Sequence, residues 1–161
     1  MTTPILTDIP FDRFTGQIDA LASQIAASGW RPDHLVGVGR GGLVPATWLS
    51  HALDVPLLSI DLSAGIADFA DLLLDRLAKR ALGGERLLIV DDINDSGRTI
   101  MGLRAALAAA PSGQLRFAVL IDNIGSDTRV DYAAETIDRA VTKDWFVFPW
   151  ERRAGEAQQA R

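Results

Sequence analysis

Between residues 87 and 94 the chain reads "LLIVDDIN", four aliphatic residues running straight into two adjacent aspartates. A strand that is apolar at every position is buried on both faces, which is the setting of a parallel sheet with helices packed on either side. The flanking segments fit that frame. Phe11, Phe14, Ile18, Leu21, Ala22 and Ile25 recur at spacings of three and four, so an amphipathic helix is predicted over 11–28, stopped by Gly29. "HLVGVGRGGLVPATWLSHAL" predicts a strand, a glycine turn and a helix ending near Leu53, and "VPLLSIDL" predicts another strand. A helix in "FADLLLDRLAKRAL" then leads through Gly83 and Gly84 into a strand over 86–91. A helix from Thr99 to Ala110 ends at Pro111, and a strand follows over 115–121. Strands and helices alternate, so the fold class expected is α/β, a mostly parallel twisted sheet flanked by helices. At 161 residues the chain is the size of one domain, 1–161, with its last ten residues read as a solvated end.

Composition limits the chemistry. There is no cysteine and there are only two histidines, His34 and His51, so thiolate catalysis, disulfides and cysteine–histidine metal sites drop out. Carboxylates, Arg, Lys and backbone groups remain. A net charge of −5 disfavours a nucleic-acid partner. No window approaches eighteen uninterrupted apolar residues, and "MTTPILTDIPFDRF" lacks the order of a signal peptide, so the expectation is a cytoplasmic protein with no membrane partner.

In sheets of this kind ligands bind outside the carboxyl ends of the strands. Two turns qualify. The first, "GVGRGG" at 37–42, satisfies a G-x-G-x-x-G pattern with Asp61 at about the distance of a ribose-binding acid, which keeps a dinucleotide-binding oxidoreductase as an alternative. Arg40 inside that loop, Pro45 close behind it and the idle "VDDINDSGRT" count against this reading. The second turn follows Asp91 and Asp92. Successive strand residues point to opposite faces, so the two share a ligand only where the strand ends. Adjacent carboxylates repel, and their place is a solvated mouth supplied with donors or a cation. "DSGRT" adds the Ser96 and Thr99 hydroxyls, Gly97 for an unusual backbone angle, and amides at a helix N-terminus, a combination suited to phosphate. The plainer alternative is turn chemistry, with Asp95 or Ser96 as a helix cap.

"VDDINDSGRT" resembles the signature of type I phosphoribosyltransferases. "GVGRGGLVPA" at 37–46 resembles the pyrophosphate-binding loop of the bacterial xanthine, guanine and hypoxanthine enzymes, and "DWFVFPWE" at 144–151 is similar to their C-terminal hood. The resemblance covers most of residues 30–151. It implies transfer of the phosphoribosyl group of 5-phosphoribosyl 1-diphosphate to a nucleobase, with Mg²⁺ as cofactor. By the same resemblance, Asp91 and Asp92 hold the ribose hydroxyls, directly or through metal-bound water, and Arg40, Gly41 and Gly42 meet the pyrophosphate. Asp95 faces the base and serves proton transfer at its imidazole nitrogen, and Ser96, Gly97, Arg98 and Thr99 hold the 5′-phosphate. Trp145 stacks on the base, Phe146 offers backbone contacts to its edge, and 62–75 forms a mobile lid. A cis peptide is expected near Arg40, and a homo-oligomer, dimer or tetramer, is expected overall. One departure stands out: where purine enzymes place a lysine after the fifth strand, this chain has Asn123, which can still donate and accept toward a purine edge. A diphosphate-sugar-binding regulator of the same fold is the other alternative.

Overall fold

The computed structural model describes residues 5–62 and 67–151. Its elements are β1 (Leu6–Asp8), α1 (Phe11–Ala27), β2 (His34–Val38), α2 (Gly39–Leu53), β3 (Leu57–Ile60), α3 (Ala67–Leu82), β4 (Leu87–Asn94), α4 (Arg98–Ala106), β5 (Leu115–Asn123), β6 (Tyr132–Ile137) and β7 (Trp145–Val147). Five strands form one all-parallel sheet in the order β3-β2-β4-β5-β6, and β1 pairs in parallel with β7 in a separate two-stranded ribbon.

Strand periodicity sends alternate residues to two cores. Leu35, Leu88, Val90, Ala118 and Leu120 pack with Phe14, Ile18, Leu21 and Ile25 of α1 and with Ala46 and Leu49 of α2. Val36, Val38, Leu87, Ile89, Phe117 and Val119 face the opposite way, onto Leu77 and Ala81 of α3 and Ile100 and Leu103 of α4. The expected α/β sheet with helices on both faces is therefore what the chain forms. Each fully buried Leu, Ile or Phe contributes roughly 1.5–3 kcal/mol of transfer free energy, so both faces hold the strands in place.

Several boundaries differ from the sequence reading. β4 does not stop at Asp91. It continues to Asn94 because β5 keeps pairing with it, Asp91 beside Val119 and Asn94 beside Asp122. The expected glycine turn after β2 is absent, since α2 begins at Gly39, directly after the strand. No cis peptide occurs among the described residues, so the one expected beside Arg40 is not there. α4 ends at Ala106 rather than Ala110, with Leu107 as its cap, and Pro111 disfavours helical backbone at the residue before it. β6 had not been expected. Its "YAAETI" sets two alanines and a glutamate between Tyr132 and Thr136 with no strict apolar–polar alternation, and it forms where β5 offers an edge. Residues 63–66 of the expected lid and the solvated end at 152–161 lie outside the described residues. Among the described residues, no helix is long and apolar enough to cross a membrane.

Candidate active site

The chain runs from β2 through α2 outward to β3, then returns to place β4 on the other side of β2. The strand order therefore reverses between β2 and β4, the point where open parallel sheets leave a crevice at their carboxyl ends. β2 pairs with β4 only as far as Gly37 beside Val90. Beyond that register β4 loses its neighbour on this side, and both Asp91 and Asp92 open onto a cleft of about 920 Å³. Its walls also carry Arg40, Gly41, Arg98, Thr99, Trp150 and Glu151.

Close packing explains Gly37, Gly41 and Gly42, whereas Gly39 has open space around it and a left-handed φ of 56°. A Cβ on Gly42 would collide with the Val90 carbonyl oxygen, and one on Gly41 with the Asp92 carboxylate. A Cβ on Gly37 would lie 2.9 Å from the Leu43 Cα. The dinucleotide-like pattern thus serves to press α2 against β4. Arg40, on the first turn of α2, is exposed and makes no ion pair among the described residues.

The two aspartates are partly exposed. The Asp92 amide donates to Asp91 Oδ1 at 2.9 Å, and the Ile93 amide donates to Asp92 Oδ1 at 2.7 Å. Burial, then the neighbouring Asp92 charge, pushes the Asp91 carboxyl well above the usual carboxylate range. Burial also pushes Asp92 up, with the Glu151 charge adding to it, although the Ile93 amide pulls the other way. A pair raised in this way, with no cation bonded to it among the described residues, is a donor set suited to a hard divalent ion that keeps water in its shell.

A second, smaller cavity of about 80 Å³ adjoins the first and shares Asp92 and Glu151 with it. Ile93, Asp95, Arg139, Trp145, Phe146 and Phe148 complete its lining. Trp145 is 62% exposed, whereas Phe146 is buried. Arg139 Nε donates to Asp95 Oδ1 at 2.8 Å, and its Nη1 donates to the carbonyls of Thr142 and Asp144 at 3.3 and 2.5 Å.

The remaining expected residues sit differently. Gly97 starts α4 with a left-handed φ of 88°, and a Cβ there would lie 2.8 Å from Ser126 Oγ. Ser96 Oγ accepts from the Arg98 amide at 3.4 Å, so its hydroxyl closes the loop on itself. Gly42, Ser96, Gly97 and Asn123 line neither cavity, while Arg98 and Thr99 line the larger. Asn123 is buried. Its Nδ2 donates to the Asp95 carbonyl at 2.8 Å, and its Oδ1 accepts from the amides of Gly125 and Arg139, both at 3.1 Å. Arg139, Trp150 and Glu151 went unnoticed as individual site residues in the sequence. Trp150 and Glu151 stand inside the quoted "DWFVFPWE", whereas no motif surrounds Arg139.

Residues 11–154 match the family model described as phosphoribosyl transferase domain. The chain belongs to that family. This settles the fold expectation in favour of the phosphoribosyltransferase and against the dinucleotide-binding oxidoreductase, and the protein is a phosphoribosyltransferase enzyme. Among curated relatives, a xanthine-guanine phosphoribosyltransferase of Cereibacter sphaeroides is 28% identical over 160 residues, covering 89% of this chain and 85% of the relative. An orotate phosphoribosyltransferase of Bartonella tribocorum is 32% identical over 111 residues, 68% of this chain but only 54% of that protein. The purine phosphoribosyltransferase of Pyrococcus horikoshii superposes with a TM-score of 0.69 at 26% identity, covering 92% of this chain and 96% of that structure.

Proposed function

We propose that this phosphoribosyltransferase transfers the 5-phosphoribosyl group of 5-phosphoribosyl 1-diphosphate to a purine base, releasing pyrophosphate and a nucleoside 5′-monophosphate. The observation that carries the reading is the joining of the two cavities through Asp92 and Glu151. One is walled by Arg40 and the acid pair, the other by Asp95 and an exposed indole.

In this reading the diphosphate sugar occupies the larger cavity. Arg40 offers a planar, always charged donor to the pyrophosphate, and Thr99 with the backbone at the start of α4 takes the 5′-phosphate. Asp91 and Asp92 hold the ribose hydroxyls and would hold Mg²⁺ through its water. The ion would supply compensation for negative charge on the leaving diphosphate. As the bond from C1 to the diphosphate oxygen breaks, a nitrogen of the base forms the new bond to C1. The proton of that nitrogen passes to Asp95, whose Oδ2 accepts no hydrogen bond among the described residues. The Trp145 face stacks on the base, a contact worth about 1–3 kcal/mol.

The test is to mix the protein with Mg²⁺, 5-phosphoribosyl 1-diphosphate and each of hypoxanthine, guanine, xanthine, adenine and orotate, and to follow pyrophosphate release. Release with a purine is expected, and its loss in Asp95→Asn. Release with orotate alone would reject the purine assignment.

A further inference from the structure

We infer that Arg139 reads the base, its guanidinium selecting purines that turn a carbonyl oxygen toward it over purines that turn an amino group toward it. The inference rests on the purine-transfer reading above and specifies its substrate class.

Among the described residues, Arg139 is the only cationic side chain lining the smaller cavity. Two nearby described cations are committed elsewhere: Lys143 Nζ donates to the Arg139 carbonyl at 2.6 Å, and Arg13 is paired with Glu135 at 2.5 Å. Three bonds fix the guanidinium in place, Nε to Asp95 and Nη1 to two carbonyls, and its carbon lies 5.3 Å from the centre of the Phe146 ring. The side chain is only 22% exposed. Nη2 has no hydrogen-bond partner among the described residues, and Arg139 lines the cavity, so its two N–H groups are available to a ligand that enters.

A guanidinium donates and never accepts. A carbonyl oxygen answers it, whereas an exocyclic amino group brings donor against donor and leaves both unpaired. Discrimination is strongest when the wrong ligand strands a partly buried polar group that the right one satisfies. Asn123 stands at the sequence position where a cationic reader was expected, but its amide already binds the Asp95 carbonyl and two backbone amides. Arg139, sixteen residues on and joined to Asn123 by one of those bonds, carries the charge into the cavity instead.

The test is equilibrium binding by titration calorimetry, on the full chain, of inosine, adenosine and unsubstituted purine riboside 5′-monophosphates. The wild type is expected to favour the inosine nucleotide by about tenfold or more over both others. Arg139→Gln should bring all three affinities together, and Arg139→Lys should keep part of the preference. An unchanged ratio in Arg139→Gln overturns the inference. So does a wild type that binds the inosine and unsubstituted nucleotides equally, a measurement that stands even if the variant does not fold. A wild type that binds neither these nucleotides nor 5-phosphoribosyl 1-diphosphate with Mg²⁺ overturns the site itself.

Discussion

The Asp92 carboxylate rests against the Cα of Gly41 with no room for a side chain between them. The first turn of α2 and the acid end of β4 are therefore one assembled unit, and Arg40 is presented beside Asp92 because α2 sits so close.

Gly41→Ala and Gly42→Ala should separate binding from stability. At Gly42 the obstacle is the Val90 carbonyl, part of a central strand that cannot yield, so a destabilisation of about 1–3 kcal/mol is expected. At Gly41 the obstacle is a carboxylate that can rotate, so stability falls less while affinity for the diphosphate sugar falls more. Thermal melts and calorimetric titrations check the order, and the reverse order would contradict this packing.

Arg40→Ala should leave the fold within about 0.5 kcal/mol of wild type, since no ion pair ties the side chain down among the described residues. Its affinity for 5-phosphoribosyl 1-diphosphate should drop about tenfold or more, in keeping with charged hydrogen bonds worth roughly 1.5–3 kcal/mol. Equal affinity would remove Arg40 from the site.

Asp91→Asn should raise Tm in the absence of ligand, because burial and the charge of Asp92 make an ionised Asp91 costly in the folded state. In a chain of this size each ~1 kcal/mol relieved is about 2–4 °C. Mg²⁺ with the diphosphate sugar should raise the wild-type Tm further, by linkage, but not that of the Asp91→Asn, Asp92→Asn double variant. A metal-dependent shift that survives in the double variant would place the ion elsewhere.

Glu135 gives a pH signature. The hydrogen bond from Arg13 holds its carboxyl below the ordinary value of 4.5, so its contribution to stability is present above that pH and is lost as pH falls through the folded value. The two side chains are 36% and 31% exposed, so the pair is worth only about 0.5–1 kcal/mol. Glu135→Gln should lose that amount at pH 7 in urea unfolding, and the gap to wild type should close below pH 4.5. A gap that stays constant into the acid range would assign the loss to packing.

How far the sequence could be read follows from where each signal lies. "LLIV" announced a strand covered on both faces because burial acts on every residue of it, and the apolar face of α1 was visible for the same local reason. Asp91 and Asp92 stood out because charge directly after such a run has few structural uses. The extension of β4 to Asn94 was hidden because it depends on β5. β1 and β7 are three-residue strands that define each other across most of the chain, so neither carries a pattern of its own. Arg139 was hidden as well, since an arginine in a loop reads as a solvated residue until Asp95 and Phe146 are found beside it.

The β1–β7 ribbon also sets an order of assembly. Leu6 pairs with Trp145, and Thr7 Oγ1 donates to Asp144 Oδ2 at 2.6 Å across a separation of 137 residues. On a ribosome the five-stranded sheet has all its residues once Ile137 has emerged, before Trp145 exists. β1 must meanwhile wait unpaired, since closing so long a loop becomes favourable only when its partner arrives. A nascent chain therefore owns the floor of its larger cleft before the wall beside it, and the last strand among the described residues secures the first.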